Sequence, residues 1–158
     1  MSMARRRCTT LTCRCGTRCP LRLCMQATSG NAGVTIDNDT NLLTTTKRGF
    51  PSVVLAGVAL QRGRWYYEAT IVQPGIGQIG WGDLVFVGAS SDGHGVGDDK
   101  HSWAYDGRRV LVWYKGSRPW GSPWKAGDVV GAAVDVDARM LRFSLNGDWG
   151  PPMGTAFR

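Results

Sequence analysis

Glycine and proline interrupt this chain so often that no long helix fits between them. Its 158 residues hold 22 glycines and seven prolines, most of them beyond Val34. They bound short apolar stretches that recur at intervals of roughly 8–12 residues, the spacing of an all-β sandwich or barrel. Helical periodicity is absent. Trp65–Ile71 alternates instead, and with Trp65, Tyr67, Ala69 and Ile71 turned inward, Glu68 and Thr70 face solvent. Val110–Tyr114 reads as another strand, and the continuous apolar run Leu84–Val87 as a central strand covered on both faces. Val129–Val136 and Met140–Leu145 form a hairpin about Asp137–Arg139. Asn146-Gly147 then supplies a tight turn in which both residues accept positive φ. The expected fold is antiparallel β.

Charge and cysteine divide the chain in two. Residues 1–24 hold six of the nineteen basic side chains, all five cysteines and no acid; the remainder carries thirteen basic against twelve acidic groups. The formal charge of +7 therefore belongs to a leader, and the folded part shows no general preference for nucleic acid. A disulfide-stapled secreted domain would spread its cysteines through the core, so an intracellular, cytoplasmic location is expected. Residues 1–32 read as an Arg/Cys-rich leader, disordered or organelle-targeting, because Arg, Thr and Ser without acid suit a transit peptide. The spacing C-x4-C-x-C-x3-C-x4-C lacks the paired C-x2-C knuckles of a zinc site. No run approaches the ~18 apolar residues of a membrane helix, so no membrane span is expected.

Residues 33–158 carry four motifs in order. Gly63-Arg64-Trp65-Tyr66-Tyr67-Glu68 resembles the G-x-W-Y-x-E strand of SPRY domains. Gly95-Val96-Gly97-Asp98-Asp99 with Ser102–Gly107 resembles their GVGDD…S-x-A-Y-D-G segment. Trp124–Gly131 is similar to the W-x-x-G-D-V-(I/V)-G strand, and Phe143–Gly147 to the F-x-L-N-G hairpin. The pattern is most similar to the SPRY domains of ryanodine receptors and large ubiquitin ligases. The resemblance implies a bent antiparallel β-sandwich, a concanavalin-like jelly roll, whose loops bind segments of partner proteins without catalysis. It also implies one or two closing strands after Gly154–Phe157, so the chain, ending at Arg158, is expected to be a fragment with an apolar groove and an unpaired edge.

The residues argue independently against chemistry. There is no Walker A loop, no G-x-S-x-G elbow and no H-E-x-x-H. His94 and His101 are the only imidazoles, in one loop where Ser90 or Ser91, Asp92 and His94 could form a triad only by chance. Asp37-x-Asp39-x-Asn41 starts like a calcium loop, but Leu42 and Arg48 stand where Gly and Glu are needed. No enzyme activity, cofactor or metal is expected. Trp65, Trp103, Trp113 and Trp124 are assigned to the core, and Asp128 to a turn that accepts backbone N–H bonds.

A module that binds a protein or peptide segment is left. The resemblance places its loops at Lys47-Arg48-Gly49-Phe50-Pro51 and Ser91–Val96. Candidate contacts are Lys47, Arg48, Phe50, Pro51, Asp92, His94 and Val96, with two cations beside an aromatic–proline pair suited to an acidic or extended peptide. Trp120, in the Pro/Gly/Ser-rich loop 117–123, is expected to be exposed and to act as a binding anchor. The resemblance suggests a ubiquitin-ligase substrate receptor or a channel regulatory domain. The alternative is a carbohydrate-binding sandwich, with Trp120 beside Arg118 and Trp149 beside Asp148 stacking on sugar rings.

Overall fold

The fold is taken from a computed structural model that describes residues 24–27, 33–37, 39–45 and 50–88, and 93–158. Among the described residues every regular element is a strand: β1 (Cys24–Ala27), β2 (Val34–Asp37), β3 (Leu42–Thr45), β4 (Val53–Ala56), β5 (Arg64–Thr70), β6 (Ile79–Gly82), β7 (Ser102–Asp106), β8 (Leu111–Trp113), β9 (Ser117–Pro119), β10 (Val129–Asp135), β11 (Met140–Leu145) and β12 (Gly154–Phe157). Two four-stranded antiparallel sheets, ordered β12-β11-β10-β5 and β6-β7-β8-β9, face one another, and β1-β4 and β2-β3 form two small ladders. Cys24–Ala27, which the sequence reading leaves in the leader, is strand β1 and pairs with Ala56–Val53.

Alternation decides which side chains meet between the sheets. From β10 and β11, Val130, Ala132 and Phe143 point inward; from β7 and β8, Tyr105 and Val112 do, and Trp124, Met153 and Ala156 complete the core. Tyr105 is fully buried, with its ring 5.3 Å from that of Trp124 and 5.7 Å from Phe143. Burial pushes its phenol up to about 12, so the group stays protonated and donates to the Ser122 carbonyl. Tyr67 spans the layers, donating to the Gly80 carbonyl at 2.7 Å and meeting Trp81 edge-on at 5.1 Å. Each fully buried side chain such as Phe143 or Val130 stabilises the fold by about 1.5–3 kcal/mol.

The turns follow their residues. Asn146 and Gly147 have φ of 53° and 82°, and Leu145 and Asp148 exchange backbone hydrogen bonds across them. Asp128 accepts the Lys125 N–H at 2.8 Å and the Asn146 amide at 3.0 Å, while Asn146 Oδ1 takes the Val129 N–H at 2.9 Å. The W-x-x-G-D turn is thus tied to the L-N-G turn, and the Asn146 hydrogen bond, then that of Lys125, holds the Asp128 carboxyl below its ordinary value.

Leu84–Val87 is not a strand. Asp83 Oδ1 accepts the N–H groups of Val85 and Phe86 at 2.8 and 3.1 Å, which curls the run into a turn. Leu84, Val85 and Val87 stand 83%, 62% and 58% exposed. Local capping by the carboxylate outweighs the β-propensity of the apolar residues.

Candidate functional site

The loop before β7 is built from the Gly-Val-Gly-Asp-Asp motif. Asp98 Oδ2 accepts the Gly95 N–H at 2.7 Å, and Asp99 Oδ1 accepts the His101 N–H at 2.9 Å and the Ser102 hydroxyl at 2.6 Å. The same hydroxyl oxygen takes the Gly97 N–H at 2.7 Å. Gly97, at φ 98°, lies flush on β8: a Cβ there would stand 2.6 Å from Trp113 Cβ and 3.1 Å from Ala104 Cβ. Only glycine allows this contact. A Cβ on Gly95 would come within 3.7 Å of Phe50 Cβ and 3.0 Å of Gln78 Oε1, so the loop also touches the segment entering β4.

Asp106 ends β7 with its carboxylate fully buried. Oδ1 accepts the Arg108 and Arg109 N–H groups at 2.8 and 3.1 Å, and Oδ2 accepts Arg109 Nε at 2.6 Å. The Arg109 guanidinium is thereby fixed 4.3 Å over the Trp113 ring. Trp113 lies on the sheet face opposite buried Val112 and is half-buried. Lys115 follows at φ 57°, its N–H donating to the Asp99 carbonyl at 3.2 Å.

These pieces enclose an open groove of about 310 Å³ lined by Phe50, Gln78, Gly93, His94, Asp98, Arg109, Trp113, Lys115 and Gly116. Of the residues expected to bind a partner, Phe50 and His94 are brought together here, from loops more than forty positions apart. Lys47, Arg48 and Asp92 lie outside the described residues. Pro51 and Val96 are half-buried and do not line the groove.

Trp120 is not the exposed tryptophan expected. It is half-buried on the core, edge-on to Tyr105 at 5.5 Å and to Phe143 at 6.0 Å, because the loop folds back with its N–H on the Val110 carbonyl. Trp149 is also half-buried, between Tyr66 at 5.8 Å and the Arg142 guanidinium at 5.4 Å. Sequence reasoning missed Gln78, Asp98, Arg109, Trp113 and Lys115 as groove residues. The signals were the adjacent cations after Asp106-Gly107 and the Lys-Gly turn closing β8, both legible only once β7 and β8 are paired.

The groove offers an aromatic floor and hydrogen-bond donors, a combination suited to holding an extended segment. His101, beyond its edge, joins its Nδ1 to Asp83 Oδ2 at 2.8 Å and anchors the 83–88 turn. Among the described residues no three His, Cys, Asp or Glu side chains gather as a metal site, and no helix is long and apolar enough to cross a membrane.

Residues 64–158 match the family model described as SPRY domain. The chain is 39% identical over 102 residues to the E3 ubiquitin-protein ligase RKP of Arabidopsis thaliana, a match covering 65% of this chain and 8% of that protein. It is 28% identical over 99 residues to the ATP-dependent RNA helicase DDX1 of Xenopus laevis, covering 63% of this chain and 12% of that protein. A probable ATP-dependent RNA helicase of Dictyostelium discoideum is 26% identical over 94 residues, covering 60% and 12%. The chain therefore matches only 8–12% of the length of these relatives.

Proposed function

The chain belongs to the SPRY domain family of protein-interaction modules, and from that premise we propose that it captures a partner segment in the groove over Trp113. The observation that carries the reading is the convergence of Phe50 and His94, from separate loops, with Arg109 and Lys115 above one half-buried indole. The 39% identity to a ubiquitin ligase supports a role as substrate receptor within a longer ligase. The carbohydrate alternative loses its platforms, since Trp120 and Trp149 are both packed against neighbouring side chains.

The test is capture of peptides by the full chain from a displayed random library, followed by calorimetry. Phe50→Ala, at a position 38% exposed, is expected to weaken the selected peptides about tenfold with little change in melting temperature. Selected peptides that bind Phe50→Ala and His94→Ala as well as the parent chain would refute the groove reading.

A further inference from the structure

Resting on that reading, the structure assigns a chemistry to the segment: we infer that it carries an aspartate or glutamate whose carboxylate seats between Arg109 and Lys115. Arg109 is paired with Asp106 yet keeps N–H donors to offer, and Lys115 brings a second cation to the same groove. Among the described residues Asp98 is the one carboxylate in the lining, and each of its oxygens accepts a hydrogen bond, Oδ2 from the Gly95 N–H at 2.7 Å and Oδ1 from the Gln78 amide at 3.4 Å. It accepts from its own loop and from Gln78, and among the described residues it forms no ion pair with Arg109 or Lys115.

Arg109 spends only Nε on Asp106. Its side chain remains 31% exposed, and no described residue takes its Nη groups. A guanidinium carries five N–H donors in a planar fork, so those left over match the two oxygens of a carboxylate. Stacking on Trp113 and the bond to the buried carboxylate hold the fork in place before any ligand arrives, which lowers the ordering cost of binding. Lys115 is exposed, its backbone N–H is tied to the Asp99 carbonyl, and its ammonium makes no hydrogen bond or ion pair among the described residues. The residues flanking the acid on the partner then meet Phe50 on one wall and the Trp113 ring on the floor.

The experiment uses the full chain and the displayed random peptide library, selected in parallel on the parent and on Lys115→Glu. The expected result is a motif with aspartate or glutamate at one fixed position. Changing that residue to its amide is expected to weaken binding about tenfold or more on the parent and much less on Lys115→Glu. Selection on Lys115→Glu is expected to lose the acid, and Arg109→Gln serves as a second variant acting on the same carboxylate. A motif without an acid that still depends on Phe50 would overturn this inference and leave the groove reading intact. A fixed acid insensitive to both Lys115→Glu and Arg109→Gln would overturn it as well. Peptides independent of Phe50 and His94 would bring down both readings.

Discussion

Replacing Asp106 with asparagine changes almost no volume and tests how the sandwich holds its groove. The carboxylate accepts three hydrogen bonds at 2.6–3.1 Å from a position with no solvent exposure. An amide supplies one acceptor oxygen and one donor nitrogen. If the oxygen keeps the two backbone N–H groups, the NH2 group faces Arg109 Nε, donor against donor. A hydrogen bond to a charged group is worth about 1.5–3 kcal/mol, and breaking a fully buried ion pair costs about 3–5 kcal/mol. The guanidinium is 31% exposed and can turn to water, so the lower part of that range applies. Asp106→Asn is expected to cost about 2–3 kcal/mol, which lowers the melting temperature by roughly 5–10 °C for a chain of this size. Urea denaturation of the parent, Asp106→Asn, Arg109→Met and the double variant gives the coupling directly, expected at about 1.5–3 kcal/mol. A cost under about 0.5 kcal/mol with coupling near zero would show that the carboxylate does not fix Arg109 and that the guanidinium is not held ready for a ligand.

Gly97→Ala meets both a positive φ and the Trp113 side chain, so about 3 kcal/mol is expected, against about 1 kcal/mol for Gly57→Ala, where φ is 76° and nothing lies within 4 Å; thermal unfolding of the two compares strain with and without the clash. Trp120→Ala is expected to cost about 2–3 kcal/mol by urea denaturation, below the ~3–5 kcal/mol of a fully buried tryptophan; an unchanged midpoint would restore Trp120 as a surface residue. The Asp128 carboxyl is held below its ordinary value in the fold, so its contribution is present above the unfolded value near pH ~4 and is lost as pH falls through the folded one. Asp128→Asn is therefore expected to be less stable at neutral pH but to lose less on acidification, and an acid limb as steep as the parent's would contradict the assignment.

The strands that read most easily are those whose local chemistry and tertiary role agree. Tyr67, Ala69 and Ile71 turn inward while Glu68 and Thr70 are exposed, and Asn146-Gly147 makes the turn its residues favour. Leu84–Val87 misleads because the deciding residue, Asp83, lies outside the apolar run and acts on the two N–H groups that a strand would have needed. The groove was half legible. Phe50 and His94 could be named from their loops, but Trp113 read as core because an aromatic within an apolar strand gives no sign of which sheet face is covered. Arg109 and Lys115 flank β8 and become neighbours of the 93–98 loop only once the β7–β8 hairpin folds back. Trp120 misled in the opposite sense: a Pro/Gly/Ser-rich context described the backbone correctly and said nothing of where the indole would turn.

The two sheets also meet at a seam. Among the described residues β9 and β12 each pair on one side only, and Arg118 of β9 donates Nη2 to the Ala156 carbonyl of β12 while its guanidinium lies 5.7 Å from the Phe157 ring. A cation seated on a border strand's acceptor discourages another chain from zipping onto it. The same arginine thus rivets one layer to the other and occupies an acceptor that an added strand would need, so replacing it is expected to loosen the seam and open the border together.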